Sequence, residues 1–200
     1  MVMTEKPSLR SRKTAQTREA IVTSAQALFK RQGFDATTLD QIAEGANFHK
    51  QTVLRYFNTK EEIALRGQNA ALKVFEEELS DPDRKLSVIE IWREHVSYYM
   101  GNVTRSPELF RRHKFVFSTQ RLYALSLMIL VKYEALIGRA LSREAGVDPE
   151  DDVYSTSLAA MLVFGYRKAN ELAVTRDSRE DLQRLCLELI DFAVEKFPAR

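Results

Sequence analysis

Apolar residues recur at three- and four-residue steps along almost the whole chain, and no stretch alternates with period two for long. The pattern predicts helices and no sheet. Between Thr14 and Gln32 the apolar positions Ile21, Ala25, Leu28 and Phe29 share one helical face, and Gly33 follows as a C-terminal cap tolerant of a left-handed backbone. A short helix is expected to begin at Thr37-Thr38, with Asp40 and Gln41 in capping-box register and Leu39, Ile42 and Ala43 inward. Thr59-Lys60-Glu61-Glu62 reads as a second capping box, opening a long helix to about Leu79 that Ser80-Asp81-Pro82-Asp83 ends.

Further helices are expected from about Lys85 to Thr104, from the Ser106-Pro107 cap onward, and from Thr119 to Glu144. Two more run from Asp148-Pro149 to about Thr175 and from Ser178 to near Pro198, about nine in all. Leu122 to Val131 is apolar on nearly all sides, which predicts a helix in the middle of a bundle. Leu158, Leu162, Gly165, Ala169 and Leu172 step by four and three, the narrow seam of close helix packing, with small residues at 165 and 169 admitting another helix. The last helix is apolar on more than one side, through Leu182, Leu185, Cys186, Leu189, Ile190, Ala193 and Phe197 but also Leu187 and Val194. Two apolar faces on a terminal helix predict a partner chain, and a closed two-fold homodimer is the commonest form. The expected interface is Leu158, Leu162, Gly165, Ala169, Leu172, Leu182, Leu185, Leu189 and Ala193.

Residues 14–60 thus order themselves as a supporting helix, a short helix, a turn, a second short helix and a long one. That is helix-turn-helix logic, in which the second short helix enters the major groove of DNA. In the turn Gly45-Ala46-Asn47-Phe48, Asn47 tolerates positive φ and Phe48 can plug the angle between the helices. Val53 and Phe57 fall one turn apart and point inward, leaving His49, Lys50, Gln51 and Thr52 outward. Lys can donate to guanine O6 and N7, Gln can pair with adenine, and the Thr methyl can touch thymine. Arg55, Tyr56 and Lys60 lie further along, where phosphate contacts would fix the register.

Charge supports the same end of the chain. Residues 1–66 hold 11 Lys/Arg against 7 Asp/Glu, whereas residues 67–200 hold 19 against 21, within an overall net charge of +2. The excess lies in the first 18 residues, where Lys6, Arg10, Arg12, Lys13 and Arg18 oppose only Glu5. A basic end on a near-neutral body suggests a polyanion-facing arm. The 44% apolar fraction excludes wholesale disorder, and no run approaches the length of a membrane span. With no signal-peptide core near the N-terminus and a single cysteine, Cys186, the expectation is a soluble cytoplasmic protein without disulfides, metal site or cofactor.

The run ALFKRQGFDATTLDQIAEGANFHKQTVLRYFNTKEEIAL, with Phe29, Gly33-Phe34, Thr37-Thr38, Ile42-Ala43, Ala46, Thr52, Tyr56-Phe57 and Lys60-Glu61, resembles the DNA-binding domain of the Tet repressor family of bacterial transcriptional regulators. It covers about a quarter of the chain. The resemblance implies that Lys50, Gln51 and Thr52 read the groove and that Thr38, Tyr56 and Lys60 hold phosphates. Departures fall on the reading head: Asn47 for the usual glycine, His49 for a serine N-cap, Gln51 for glycine and Leu54 for tyrosine. They bear on the operator sequence rather than on the mode of binding.

The resemblance also implies an effector pocket and dimer interface in the later helices. Trp92, His95 and Tyr99, with Phe110, His113, Phe117, Met128, Met161 and Phe164, are the expected lining, and Arg167 and Asn170 are its rare polar groups. His95 taken alone reads as a core histidine. An enzyme is not expected, since no nucleophile elbow, phosphate loop, zinc-protease or dinucleotide motif occurs. The expected organisation is all-α: an arm over 1–16, a helix-turn-helix domain over 17–58 and a helical effector and dimer domain over 59–200. Its expected function is ligand-responsive repression from a palindromic operator, bound as a homodimer with half-sites about 34–36 Å apart. Effector bound among the 85–175 helices would shift the long helix that starts at Thr59 and so release the DNA. The alternative is an all-helical adaptor without specific DNA binding, which would have no need of an outward Lys50-Gln51-Thr52 face.

Overall fold

The computed structural model describes residues 8–197. Among them lie ten α-helices and no strand: α1 (Leu9–Gln32), α2 (Leu39–Gly45), α3 (Lys50–Leu54), α4 (Lys60–Ala64), α5 (Arg66–Ser80), α6 (Val88–Arg105), α7 (Pro107–Ser118), α8 (Gln120–Ala145), α9 (Val153–Thr175) and α10 (Arg179–Lys196). The chain divides into two compact units between Arg66 and Gly67.

In the first unit α1 is the spine. It starts earlier than expected: Ser8 accepts from Ser11 N–H as N-cap, so residues 9–16 of the anticipated arm are helical, and residues 1–7 lie outside the described residues. Gly33 closes α1 at φ 84°, which is open to glycine at little cost. Thr38 and Gln41 form the expected capping box of α2. Ile21, Ala25, Leu28 and Phe29 of α1, Ile42 and Ala43 of α2, Val53 of α3 and Ile63 of α4 are all buried, with α1 packed on α2 and α4 and α2 on α3. The approach of α1 to α2 depends on Gly45, where an added Cβ would lie 2.5 Å from Ser24 Oγ. That hydroxyl donates to Ile42 O at 2.8 Å.

The helix expected from Thr59 to Leu79 is two helices. Thr59 caps α4 by accepting from Glu62 N–H, but the Glu62 carboxylate turns to Asn58 N–H, so the box is half made. At Leu65 (φ −93°, ψ 6°) the chain leaves helical geometry with its side chain buried, and α5 starts anew. Because Ile63 and Leu65 belong to the first core, that unit extends to Arg66 rather than ending at residue 58.

The second unit is a bundle in which α9 packs along both α8 and α10, and α10 also packs on α6. A Ser87–Glu90 capping box starts α6, and Ser106 with Pro107 starts α7. The middle of α8 is not buried all round: Leu122, Ser126, Ile129 and Leu130 are, but Met128 is 63% and Val131 53% exposed. The seam on α9 faces its own chain. Leu158, Leu162 and Ala169 are buried there, as are Leu182 and Ala193 of α10, so these five are already covered within one protomer. The helix that approaches Gly165 is α10 itself: a Cβ added at 165 would lie 3.9 Å from Leu189 Cβ. No helix among the described residues is long and apolar enough to cross a membrane.

Candidate functional site

The turn between α2 and α3 holds its expected geometry. Phe48 N–H donates to Ala43 O at 2.9 Å, and Asn47 takes φ 59°. Val53 and Phe57 are buried, so α3 presents its other side outward. His49, Lys50, Gln51 and Arg55 are exposed, Thr52 and Tyr56 half-buried. His49 is the N-cap residue of α3, yet its side chain makes no cap bond. Lys50 Nζ lies 2.8 Å from Asp40 Oδ2, an ion pair about half exposed on the lysine side and more so on the aspartate. Such a pair is worth little and can yield to a competing partner.

Tyr56 sits beneath two guanidinium groups, Arg55 at 5.3 Å and Arg18 at 5.8 Å from its ring centroid. Desolvation pushes its phenol up, but hydrogen bonds from Arg55, Thr17 and Thr14 prevail and hold it below its ordinary value. Two cations around one phenol, at the end of an exposed helix, form an anion-receptive corner. Thr38, as N-cap, accepts from Gln41 N–H and keeps its own hydroxyl proton for another acceptor. Arg18 was not foreseen in this role; its spacing on α1, three residues before Ile21, carried the signal.

Lys60, expected at a phosphate, is already engaged within the protein. Its ammonium donates to the carbonyls of Phe34 (2.7 Å), Asp35 (3.0 Å) and Thr37 (2.9 Å). All three protons are engaged, so without DNA it clamps the α1–α2 loop.

In the second unit a small cavity of about 30 Å³ brings together Trp92, His95, Tyr99 and Phe117 of the expected lining. Tyr133, Tyr166, Ser126, Leu130, Val96, Ala71 and Gln68 complete it. Ser126, Leu130 and Tyr133 share one face of α8 at steps of four and three, a signal that begins within the Leu122–Val131 run read only as apolar and ends just beyond it. Burial lowers His95 to about 4 and raises Tyr99 to about 12, so the lining is uncharged at neutral pH. His95 Nε2 and Tyr133 Oη are hydrogen-bonded at 3.0 Å.

The other seven expected lining residues do not reach this cavity. Phe110 is packed in the core, and Met128 and Phe164 are exposed. Met161 is half-buried elsewhere on α9. His113 is buried and donates from Nε2 to Asn170 Oδ1 at 2.7 Å, while Asn170 Nδ2 donates to Tyr166 O. Arg167 is paired with Glu171 and donates to Tyr123 Oη at 3.0 Å, its plane stacked near Phe164. Apart from Arg167 Nε, which is buried without a hydrogen-bonding partner, these groups are satisfied within the protein. Among the described residues no group of three or more His, Cys, Asp or Glu side chains is arranged to hold a metal ion.

Comparison with known proteins falls on the same division. Residues 21–66 match the model of the bacterial regulatory proteins of the tetR family. The HTH-type transcriptional regulator TcmR of Streptomyces glaucescens is 42% identical over 69 residues, 34% of this chain and 30% of TcmR, so the chain matches about a third of that relative's length. Among solved structures, the SmeT–triclosan complex superposes with TM-score 0.67 at 21% identity, covering 90% of this chain and 91% of SmeT. The Thermus thermophilus FadR, a TetR-family transcriptional repressor in complex with lauroyl-CoA, gives 0.60 at 21% identity over 92% and 96%. The likeness to SmeT and FadR extends the shared fold over both units.

Proposed function

We propose, from the match of residues 21–66 to the tetR family of bacterial regulatory proteins, that this chain is a ligand-responsive transcriptional repressor that binds a palindromic operator as a homodimer. The observation that carries the reading is the outward face of α3: exposed His49, Lys50 and Gln51 backed by buried Val53 and Phe57. Gln51 and Lys50 meet base edges, and Arg55, Tyr56, Arg18 and Thr38 meet phosphates on either side. Lys50 exchanges Asp40 for DNA.

Homodimerisation uses what each protomer leaves uncovered on α9 and α10. Phe164 on one helix and Phe192 on the other are exposed, and Gly165, Leu172, Leu185 and Leu189 beside them are partly exposed. Small-molecule control has support from solved relatives: SmeT was captured with triclosan and FadR with lauroyl-CoA. Here the aromatic cavity under Trp92 is the effector site, and occupancy changes the balance between DNA-bound and free dimers by the ligand's differential affinity for the two.

The test is binding of the purified chain to DNA from upstream of its own gene, by fluorescence anisotropy at several salt concentrations. Gln51→Ala should change which base pairs are preferred, and Arg55→Ala should weaken all sequences alike while reducing the salt slope by about 1. A protein that binds no DNA specifically would instead be the helical adaptor.

A further inference from the structure

The cavity under α5 and α6 is walled by rings that meet at right angles or tilted. Trp92 stands 5.3 Å from Tyr133, 5.5 Å from Tyr166 and 5.5 Å from Phe75, centroid to centroid. His95 lies nearly parallel to the indole at 6.1 Å. Trp92 is 1% exposed, and its Nε1–H is buried with no hydrogen-bonding partner in the protein. An indole can only donate, and leaving such a group unmatched among apolar rings is costly. The site is short of one acceptor.

At about 30 Å³ the cavity has room for a water and not for an organic molecule. Ala71, His95 and Tyr99 form a wall shared with an open groove of about 640 Å³ along α5 and α6. Displacing the two rings would join the spaces. The α5 helix favours this, because it packs against no other helix as extensively as α9 packs on α8 and α10.

Chemistry at the groove then sorts ligands. Glu78 and Glu94 stand among its lining, and neither groove nor cavity is lined by a Lys or Arg. A carboxylate or phosphate would meet like charge outside and an unpaired, desolvated berth inside. No carboxylate lines the cavity itself to balance a cation.

Resting on the reading of this unit as effector-binding, we propose that its ligand is an uncharged, planar aromatic molecule carrying a hydrogen-bond acceptor. It passes His95 and Tyr99 from the groove, stacks among Trp92, Tyr133 and Tyr166, and accepts the Trp92 Nε1 proton.

Trp92 is the single tryptophan, so the full-length protein labelled with ¹⁵N-tryptophan gives one indole N–H signal, a direct reporter of the site. The probes are 9-fluorenone, its hydrocarbon counterpart fluorene, dodecanoate and benzyltrimethylammonium. Fluorenone should move the indole proton downfield in a saturable way, while fluorene binds about five- to tenfold more weakly without the downfield shift. Dodecanoate and the ammonium ion should leave the signal in place. Calorimetry on Trp92→Phe should bring fluorenone and fluorene within about twofold of each other. An indole signal indifferent to fluorenone, or moved instead by dodecanoate or the cation, overturns the proposal. So does a Trp92→Phe protein that keeps the full preference for the ketone. DNA binding measured on the same samples separates the two readings: fluorenone bound without any specific DNA binding leaves the ligand class standing and removes the repressor.

Discussion

The ammonium of Lys60 lies 2.7 Å from the carbonyl oxygen of Phe34 and 4.6 Å from the centroid of the same residue's ring. A cation at the first position of α4 opposes that helix's dipole, so its place there needs another reason. The reason is the loop after α1, whose carbonyls at Phe34, Asp35 and Thr37 converge on one point. Lys60→Met keeps the aliphatic stem over Phe34 and removes all three charge-assisted hydrogen bonds. It should destabilise the first unit by about 2–4 kcal/mol in urea denaturation. DNA binding by the folded fraction at low temperature should keep the wild-type salt slope. A reduced slope with unchanged stability would return Lys60 to the phosphate contacts.

A second prediction concerns Gly45 and Ser24. Alanine at 45 would place a methyl 2.5 Å from Ser24 Oγ and drive that hydroxyl off Ile42 O, whereas with Ser24 cut back the nearest remaining atom is its Cβ at 3.6 Å. Gly45→Ala should therefore cost about 1–3 kcal/mol, and Ser24→Ala alone about 1. The double variant should be more stable than Gly45→Ala alone, because the clash is gone. Additive costs in a double-mutant cycle would show that the two side chains do not meet.

The homodimer face is tested by charge. Phe192 is 55% exposed on α10, one turn beyond Leu189. Phe192→Glu should raise the dimer dissociation constant about thirtyfold or more, read by sedimentation against protein concentration. Leu86→Glu, exposed in the loop before α6, should leave the constant unchanged. A Phe192→Glu protein that stays dimeric would move the interface off this part of α10.

What the sequence could convey follows the range of the interactions involved. The Thr38–Gln41 capping box, Gly33, Asn47 and the inward Val53–Phe57 pair are written within four residues of one another, and each is found in place, while the Thr59–Glu62 box is half made. The engagement of Lys60 was not legible because its three acceptors lie 23 to 26 residues away, so only the fold reveals it. The break at Leu65 escaped for a similar reason: the residue leaves helical geometry to enter the first core, and nothing in its neighbours announces that. In the second unit, periodicity identified helix faces but not which face a given chain covers for itself. Leu158, Leu162 and Ala169 look like an interface and are core, while Met128 looks like core and is exposed. Trp92, His95 and Tyr99 were legible as a cavity wall because they share one helix; Tyr133 and Tyr166 come from two others.

Acid should weaken the second unit before its carboxylates begin to protonate. Burial lowers His113 to about 4, with the Asn170 hydrogen bond only partly offsetting it. An unfolded chain has a histidine near 6.5, so between the two values the unfolded state binds the extra proton. Stability from this group is thus fully present above about pH 6.5 and is lost as pH falls from there towards 4. Between pH 7 and pH 5 the loss from His113 is on the order of 2 kcal/mol. His95, lowered in the same direction by burial but half exposed, adds to the same slope. Urea denaturation at both pH values should show the wild-type midpoint falling on acidification. His113→Gln, which can still donate to Asn170 but does not titrate, should be less stable at pH 7 and lose distinctly less between pH 7 and 5. An equal loss in the two proteins would mean that His113 takes up its proton within the folded state, and that its berth beside Asn170 is not closed to water.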